Sequence, residues 1–287
     1  MAKSPIDLTG NSELKREFID RFDDEIFGSA YSSSIYISRI LSLPPPRNKT
    51  FILGESGIEA ELASEGVPYC GGTDPSLRRD MTAADFTAIA SGAALDPDVG
   101  VVLAGLDLHV NYLKLSLAYH YLRRGALFLA TNTDSTFPSS GALFPGAGTI
   151  SVTLVNMLGG LPSGGGGGGS GSGSGSGEGE AKTEEAEGEG QATRPTVMGK
   201  PHQAMMDAIE GKFQLDRART CMVGDRLDTD IKFGIEGGLG GTLLVGTGVS
   251  AKGDWEKVGG GGGAGGDNTV PMAFVEQLGD LREVMNK

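Results

Sequence analysis

Three carboxylates fall within six residues late in the chain: Asp225, Asp228 and Asp230, in the run TCMVGDRLDTDIKFGIEGG over residues 220–238. Cys221, Met222 and Val223 before them make a short apolar run of the kind a buried parallel strand requires. Gly224 lets the backbone turn tightly behind that strand. Asp225 is then expected at the carboxyl end of the strand, where open α/β sheets hold their ligands. Asp228 and Thr229 are suited to cap the next helix, with Asp230 in its first turn near the positive end of the dipole. Acids presented together by one strand end suit a hard, oxygen-seeking cation such as Mg2+. An aspartate at a helix start is commonly only a cap, and a GD pair alone says little. The full GDxxxTD spacing between a strand and a helix favours the metal.

A second group lies upstream. Gly199, Lys200 and Pro201 follow a short apolar stretch over residues 195–198. A helix is expected over about 201–212, with Met205, Ile209 and Phe213 four apart and Pro201 at its first position. Lys200 would then stand at a second strand end, beside the strand carrying Asp225. A lysine there can hold a phosphate as a point charge and shield a nearby carboxylate from it. On its own, GKP would read as a solvated surface lysine.

Taken together, TVMGKPHQAMMDAI and TCMVGDRLDTDIKFGIEGGLGGTLLVGTGVS resemble the haloacid dehalogenase (HAD)-type phosphatase superfamily. The likeness is strongest to the branch of 4-nitrophenylphosphatases, phosphoglycolate phosphatases and pyridoxal phosphatases. FILGESGIEAELASEGV, GGTDP, DPDVGVVLAGLDLHVNYLKL, FLATNTDSTFP and GALFPGAGTI carry it through most of the chain. The resemblance implies an α/β fold: a HAD-like (Rossmann-like) parallel-sheet core, incomplete at its N-terminus, with a large inserted α/β cap. It implies hydrolysis of small phosphomonoesters with Mg2+ through an aspartyl-phosphate. In that scheme Asp225 ligates the metal and Asp230 supports its loop from behind. Lys200 stabilises the phosphoryl group, and His109, in the cap loop 107–112, contacts the substrate. Without the resemblance His109 would be a polar residue ordering a turn. Asn132 and Asp134 read as a hinge back to the core. The implied partners are a small phosphorylated metabolite and a second copy of the chain, paired through the cap.

The same resemblance places a DxDG motif on the first core strand, supplying the nucleophilic aspartate. No DxDG occurs in these 287 residues. Asp23 and Asp24 sit in a charged helical start, Asp96 and Asp98 flank Pro97 in a turn, and Asp107 begins DLH. Covalent phosphoryl transfer has no first step without a nucleophile. The expectation is an incomplete product of a phosphatase gene. The alternative is a HAD-like protein that binds ligand or partner without turnover.

A net charge of −13 argues against nucleic acid as a partner. No apolar run is long enough to cross a bilayer and no signal-peptide pattern opens the chain. Cys70 and Cys221 are the only cysteines, so the expectation is a reducing, cytoplasmic setting.

The elements needed to position these groups alternate between strand and helix, which implies parallel pairing. Helices are expected over 29–41, 55–65 and 111–123, and strands over 51–53, 99–104 and 127–130. The expected division is a helical remnant of the core over 1–19, the cap over 20–136 and the core over 137–287. Two low-complexity stretches interrupt that core, a Gly/Ser/Glu insert at 162–191 and a Gly-rich loop at 259–266, both read as disordered.

Overall fold

The computed structural model describes residues 6–7, 29–159, 193–254 and 269–281. The two low-complexity stretches, Asp23, Asp24 and most of the 1–19 segment lie outside them. Within the described residues β1 is Ile6–Asp7, and α1 is Ser29–Ile35, continued by a wider turn over Tyr36–Leu41. Then come β2 (Lys49–Leu53), α2 (Ser56–Ser64), β3 (Tyr69–Gly71), α3 (Ala83–Ser91), β4 (Val99–Ala104), α4 (Tyr112–Arg123) and β5 (Leu127–Ala130). A hairpin of β6 (Thr136–Ser139) and β7 (Ala142–Pro145) leads to α5 (Ala147–Met157). Last come β8 (Thr196–Val197), α6 (Gln203–Phe213), β9 (Cys221–Gly224), α7 (Lys232–Glu236), β10 (Gly241–Val245) and β11 (Ala273–Val275).

Five strands form one parallel sheet in the order β3-β2-β4-β5-β8. All six residues of β4 are buried, as expected of a central strand covered on both faces. One face packs against Ile89 of α3, Leu113, Leu117 and Tyr121 of α4, and Leu154 of α5. The other packs against Ile37, Ile58, Leu62 and Met198. Each such side chain contributes roughly 1.5–3 kcal/mol by leaving water. Asn111 caps α4 by accepting the Lys114 amide, as its residue type suggests. The sequence reading passed over α3, yet Thr82 and Asp85 close a reciprocal capping box at its start.

Four strands form a second parallel sheet, β1-β11-β10-β9. Two expectations change here. Ile6–Asp7 pair with β11 as a strand, where helix was expected. β9 is an edge strand, and no described strand pairs with its outer side. It is therefore not buried on both faces: Val223 is 41% exposed and its neighbours are half-buried.

The boundary expected near residue 136 does not follow the sheets, since β8 at 196–197 closes the five-stranded sheet beside β5. Helix α6 lies between the two layers. Met205, Met206 and Ile209 pack against Phe233 of α7, while Lys212 reaches back to Glu65 at 2.6 Å. Among the described residues no helix is long and apolar enough to cross a membrane.

Candidate active site

Because the five strands run in parallel, their carboxyl ends share one edge. Glu55 follows β2, Asp107 and His109 follow β4, Asn132 and Asp134 follow β5, and Lys200 follows β8. Neighbouring strands are about 4.8 Å apart. The ends of β4 and β8, with β5 between them, are therefore about 10 Å apart.

The sequence reading placed the Lys200 strand beside the Asp225 strand. The structure corrects this: β8 and β9 belong to different sheets, because β8 takes its register from β5, pairing Thr196 with Leu129 and Val197 with Ala130. The side chains nevertheless meet. Lys200 Nζ lies 2.6 Å from Asp230 Oδ1, so the carboxyl ends of the two sheets are joined by an ion pair.

Asp230 is buried, and its second oxygen accepts the amides of Asp225 and Arg226, each at 3.1 Å. It thus organises the loop that presents Asp225. Gly224 is required beside it, since a Cβ there would come within 2.2 Å of the Asp230 Cβ. Asp228 and Thr229 do not cap the next helix. That helix opens as a wide turn over Leu227–Ile231 with Arg226 at its cap and no side-chain cap bond. The Asp228 side chain is 70% exposed and pairs with Arg226 at 3.1 Å, which holds its carboxyl below the ordinary value. The three acids read together in the sequence therefore separate: two share the loop, one faces solvent.

Asp225 is fixed from the opposite side. Its Oδ2 accepts the Val249 amide at 2.8 Å, and its carbonyl accepts the Ser250 amide at 2.9 Å. At Gly248 a Cβ would come within 2.0 Å of Asp225 Oδ2, so the backbone approach needs glycine. Oδ1 of Asp225 takes no hydrogen bond from a described residue. One anchored carboxylate with an open oxygen fits Mg2+, which keeps several waters and takes one or two carboxylates plus phosphate oxygens.

The loop after β4 is built differently. Glu55 Oε1 accepts the Leu108 amide at 2.9 Å and lies 3.0 Å from His109 Nδ1. Asp107 Oδ1 accepts the His109 amide at 2.8 Å, and Oδ2 accepts from Lys114 Nζ at 2.8 Å. Lys114 also donates to the Gly72 carbonyl at 2.8 Å, and both the Asp107 and Lys114 side chains are fully buried. Burial would raise the Glu55 carboxyl, but the His109 ring, the Leu108 amide and Arg78 outweigh it and hold it below its ordinary value. Sequence reasoning passed over Glu55 and Lys114. The available signal was Lys114 between Leu113 and Leu117, a charge on the apolar stripe of α4. His120 takes no part in this edge, and His202 stands at the cap position of α6 without a side-chain cap bond.

Residues 197–280, which hold Lys200, Asp225 and Asp230, match the HAD-hydrolase-like family model. Over 294 aligned residues the chain is 38% identical to a 4-nitrophenylphosphatase of Schizosaccharomyces pombe, covering 99% of this chain and 83% of that protein. The chain belongs to the HAD-like hydrolases. Within that family it is 33% identical over 232 residues to the chloroplastic phosphoglycolate phosphatase 1A of Arabidopsis thaliana. That match covers 80% of this chain and only 53% of the plant protein, so the HAD-like chain spans about half of that relative's length. Its fold is shared with the glycerol phosphate phosphatase of Mycobacterium tuberculosis in complex with magnesium, at a TM-score of 0.57 and 21% identity, over 98% of this chain and 68% of that one.

Proposed function

We propose that this chain belongs to the phosphatase machinery for small phosphomonoesters, of the 4-nitrophenylphosphatase and phosphoglycolate phosphatase type. The observation that carries this reading is the Lys200–Asp230 pair beside the open oxygen of Asp225. Lys200 would hold phosphoryl oxygens as a fixed positive charge. Asp225 would hold Mg2+, which when bound neutralises phosphate charge. Asp230 would keep both in place, and His109 would meet the organic part of the substrate from the other strand ends. The hydrolytic route of this branch is an aspartyl-phosphate: a carboxylate attacks phosphorus as the bond to the organic alcohol breaks and the alcohol leaves, and water then releases phosphate; the sequence offers no DxDG aspartate for that attack. The relatives' names support the activity class. We propose a cytoplasmic setting, supported by a sequence with only two cysteines, and pairing of two copies through the cap.

The absence of a DxDG motif favours a second reading, in which the site binds phosphate and metal without turnover. One experiment separates the two. The purified chain is given 4-nitrophenyl phosphate with Mg2+, and calorimetry follows Mg2+ binding alone. Turnover above background that disappears in Asp225→Asn supports the hydrolase. Mg2+ binding lost in Asp225→Asn, without turnover, supports the binding protein. Absence of both rejects the site.

A further inference from the structure

A dense polar construction on the five-stranded edge surrounds a residue that takes no part in the Lys200 pair. His109 is half-exposed, at 49% for its side chain, yet its backbone and ring are held by two separate carboxylates. Asp107 holds the backbone amide and is itself locked by the buried Lys114. Glu55 holds the ring. Its Oε1 is already fixed by the Leu108 amide, and Arg78 Nη2 lies 3.3 Å from its Oε2. Held by the Leu108 amide and facing Arg78, the ionised Glu55 carboxylate is only an acceptor, so the facing Nδ1 carries the hydrogen. Nε2 then has no hydrogen-bond partner among the described residues.

We infer that Glu55 is the positioning residue of His109. It fixes the imidazole as the Nδ1–H tautomer, so that Nε2 is the nitrogen that meets the organic part of a phosphomonoester. The arrangement is that of a carboxylate orienting a histidine. A free neutral imidazole has no such constraint on which nitrogen carries hydrogen. The ligand half of this inference rests on the phosphatase reading; the tautomer half rests on the geometry alone. Glu55, Asp107 and His109 also place ligating atoms within 4.8 Å of one another, as a metal site would. Both Asp107 oxygens are already engaged, one by a buried ammonium, so a cation there would have to displace Lys114.

The chain has three histidines, so the ring nitrogens are resolvable by 15N NMR on histidine-labelled protein, with a His109→Gln variant for assignment. In its neutral form the His109 ring should show the Nδ1–H pattern. Glu55→Ala should abolish it. Glu55→Gln should keep it, because the Leu108 amide directs the glutamine carbonyl toward the same position. On titration with 2-phosphoglycolate, His109 Nε2 should shift in the wild type and in Glu55→Gln, but much less in Glu55→Ala. Inorganic phosphate should leave it unmoved. An Nε2–H pattern in the wild type, or a pattern indifferent to Glu55→Ala, overturns the inference. Binding of 2-phosphoglycolate that leaves Nε2 unmoved also overturns it while the Lys200–Asp225 site stands. If neither phosphate nor 2-phosphoglycolate binds, the phosphatase reading fails, and the ligand half of this inference falls with it.

Discussion

The two parallel sheets end in acidic loops, and they treat those acids in opposite ways. On the five-stranded sheet the polar groups satisfy one another: Asp107 is locked by Lys114, and Glu55 by the Leu108 amide and the His109 ring. On the four-stranded sheet Asp225 is anchored by one oxygen and left open at the other. At the first edge the acids Asp107 and Glu55 are occupied in holding shape, and at the second one carboxylate oxygen of Asp225 stays available. Parallel strand ends gather polar groups wherever they occur, so position alone does not identify the chemistry. What separates a structural acid from a ligand-binding one is whether its oxygens are already occupied.

The sharpest way to break this contrast is to unpair the closed edge. Lys114→Met leaves the Asp107 carboxylate buried without its partner, and we expect a loss of about 3–5 kcal/mol in urea unfolding. Adding Asp107→Asn should recover part of it, because the uncompensated charge is gone. A loss under about 1 kcal/mol for the single variant would mean that this edge is wetter than described.

One of the cysteines reports on the five-stranded sheet. Cys70 lies on β3, where burial pushes its thiol up to about 11. At pH 8 roughly one molecule in a thousand would carry the thiolate, so iodoacetamide should label Cys70 very slowly in the native protein and rapidly in urea. Fast native labelling at Cys70, read by mass spectrometry, would place β3 at an opened edge.

The clamp between the layers gives a smaller, pH-dependent effect. Lys212 and Arg39 hold the Glu65 carboxyl below its ordinary value of 4.5. A depressed folded pKa stabilises the protein above the unfolded value, and that contribution is lost as pH falls through the folded one. Wild type should therefore exceed Glu65→Gln in stability at neutral pH, with the gap closing in acid. A gap that widens on acidification would reverse the sign of this clamp. The smallest effect belongs to β9: Val223→Thr, at 41% exposure on an edge strand, should change stability by less than about 0.5 kcal/mol.

Much of the fold was legible because single residue types dictate local structure. Asn111 announced the start of α4, Val99–Ala104 the central strand, and Glu55 to Glu65 a helix that forms as Ser56–Ser64. That Lys200 meets the loop carrying Asp225 and Asp230 was legible too, although the strand neighbourhood expected to bring them together was wrong. Spacing along the chain reports strand ends but not which strand pairs with which, so β8 was assigned to the wrong sheet. For the same reason β9 was expected to be buried: a run of Cys, Met and Val does not reveal that it lies at an edge. Asp228 was read as a cap because its type and position allow it, but Arg226 two residues earlier competes for the same carboxylate. Glu55 was passed over because its partners Leu108 and His109 lie 53 and 54 residues away, beyond any local pattern, whereas Lys114 left only one local sign, a charge on the apolar stripe of α4.

The central claim is that Lys200 and Asp225, arriving from different sheets, make one phosphate and metal site around Asp230. Calorimetric titration of inorganic phosphate in the presence of Mg2+ tests it most directly, on wild type, Lys200→Met and Asp225→Asn, each first shown to be folded. The account predicts binding in the wild type that falls at least tenfold in either variant, about 1.4 kcal/mol each. Phosphate binding of equal strength in all three proteins would contradict it.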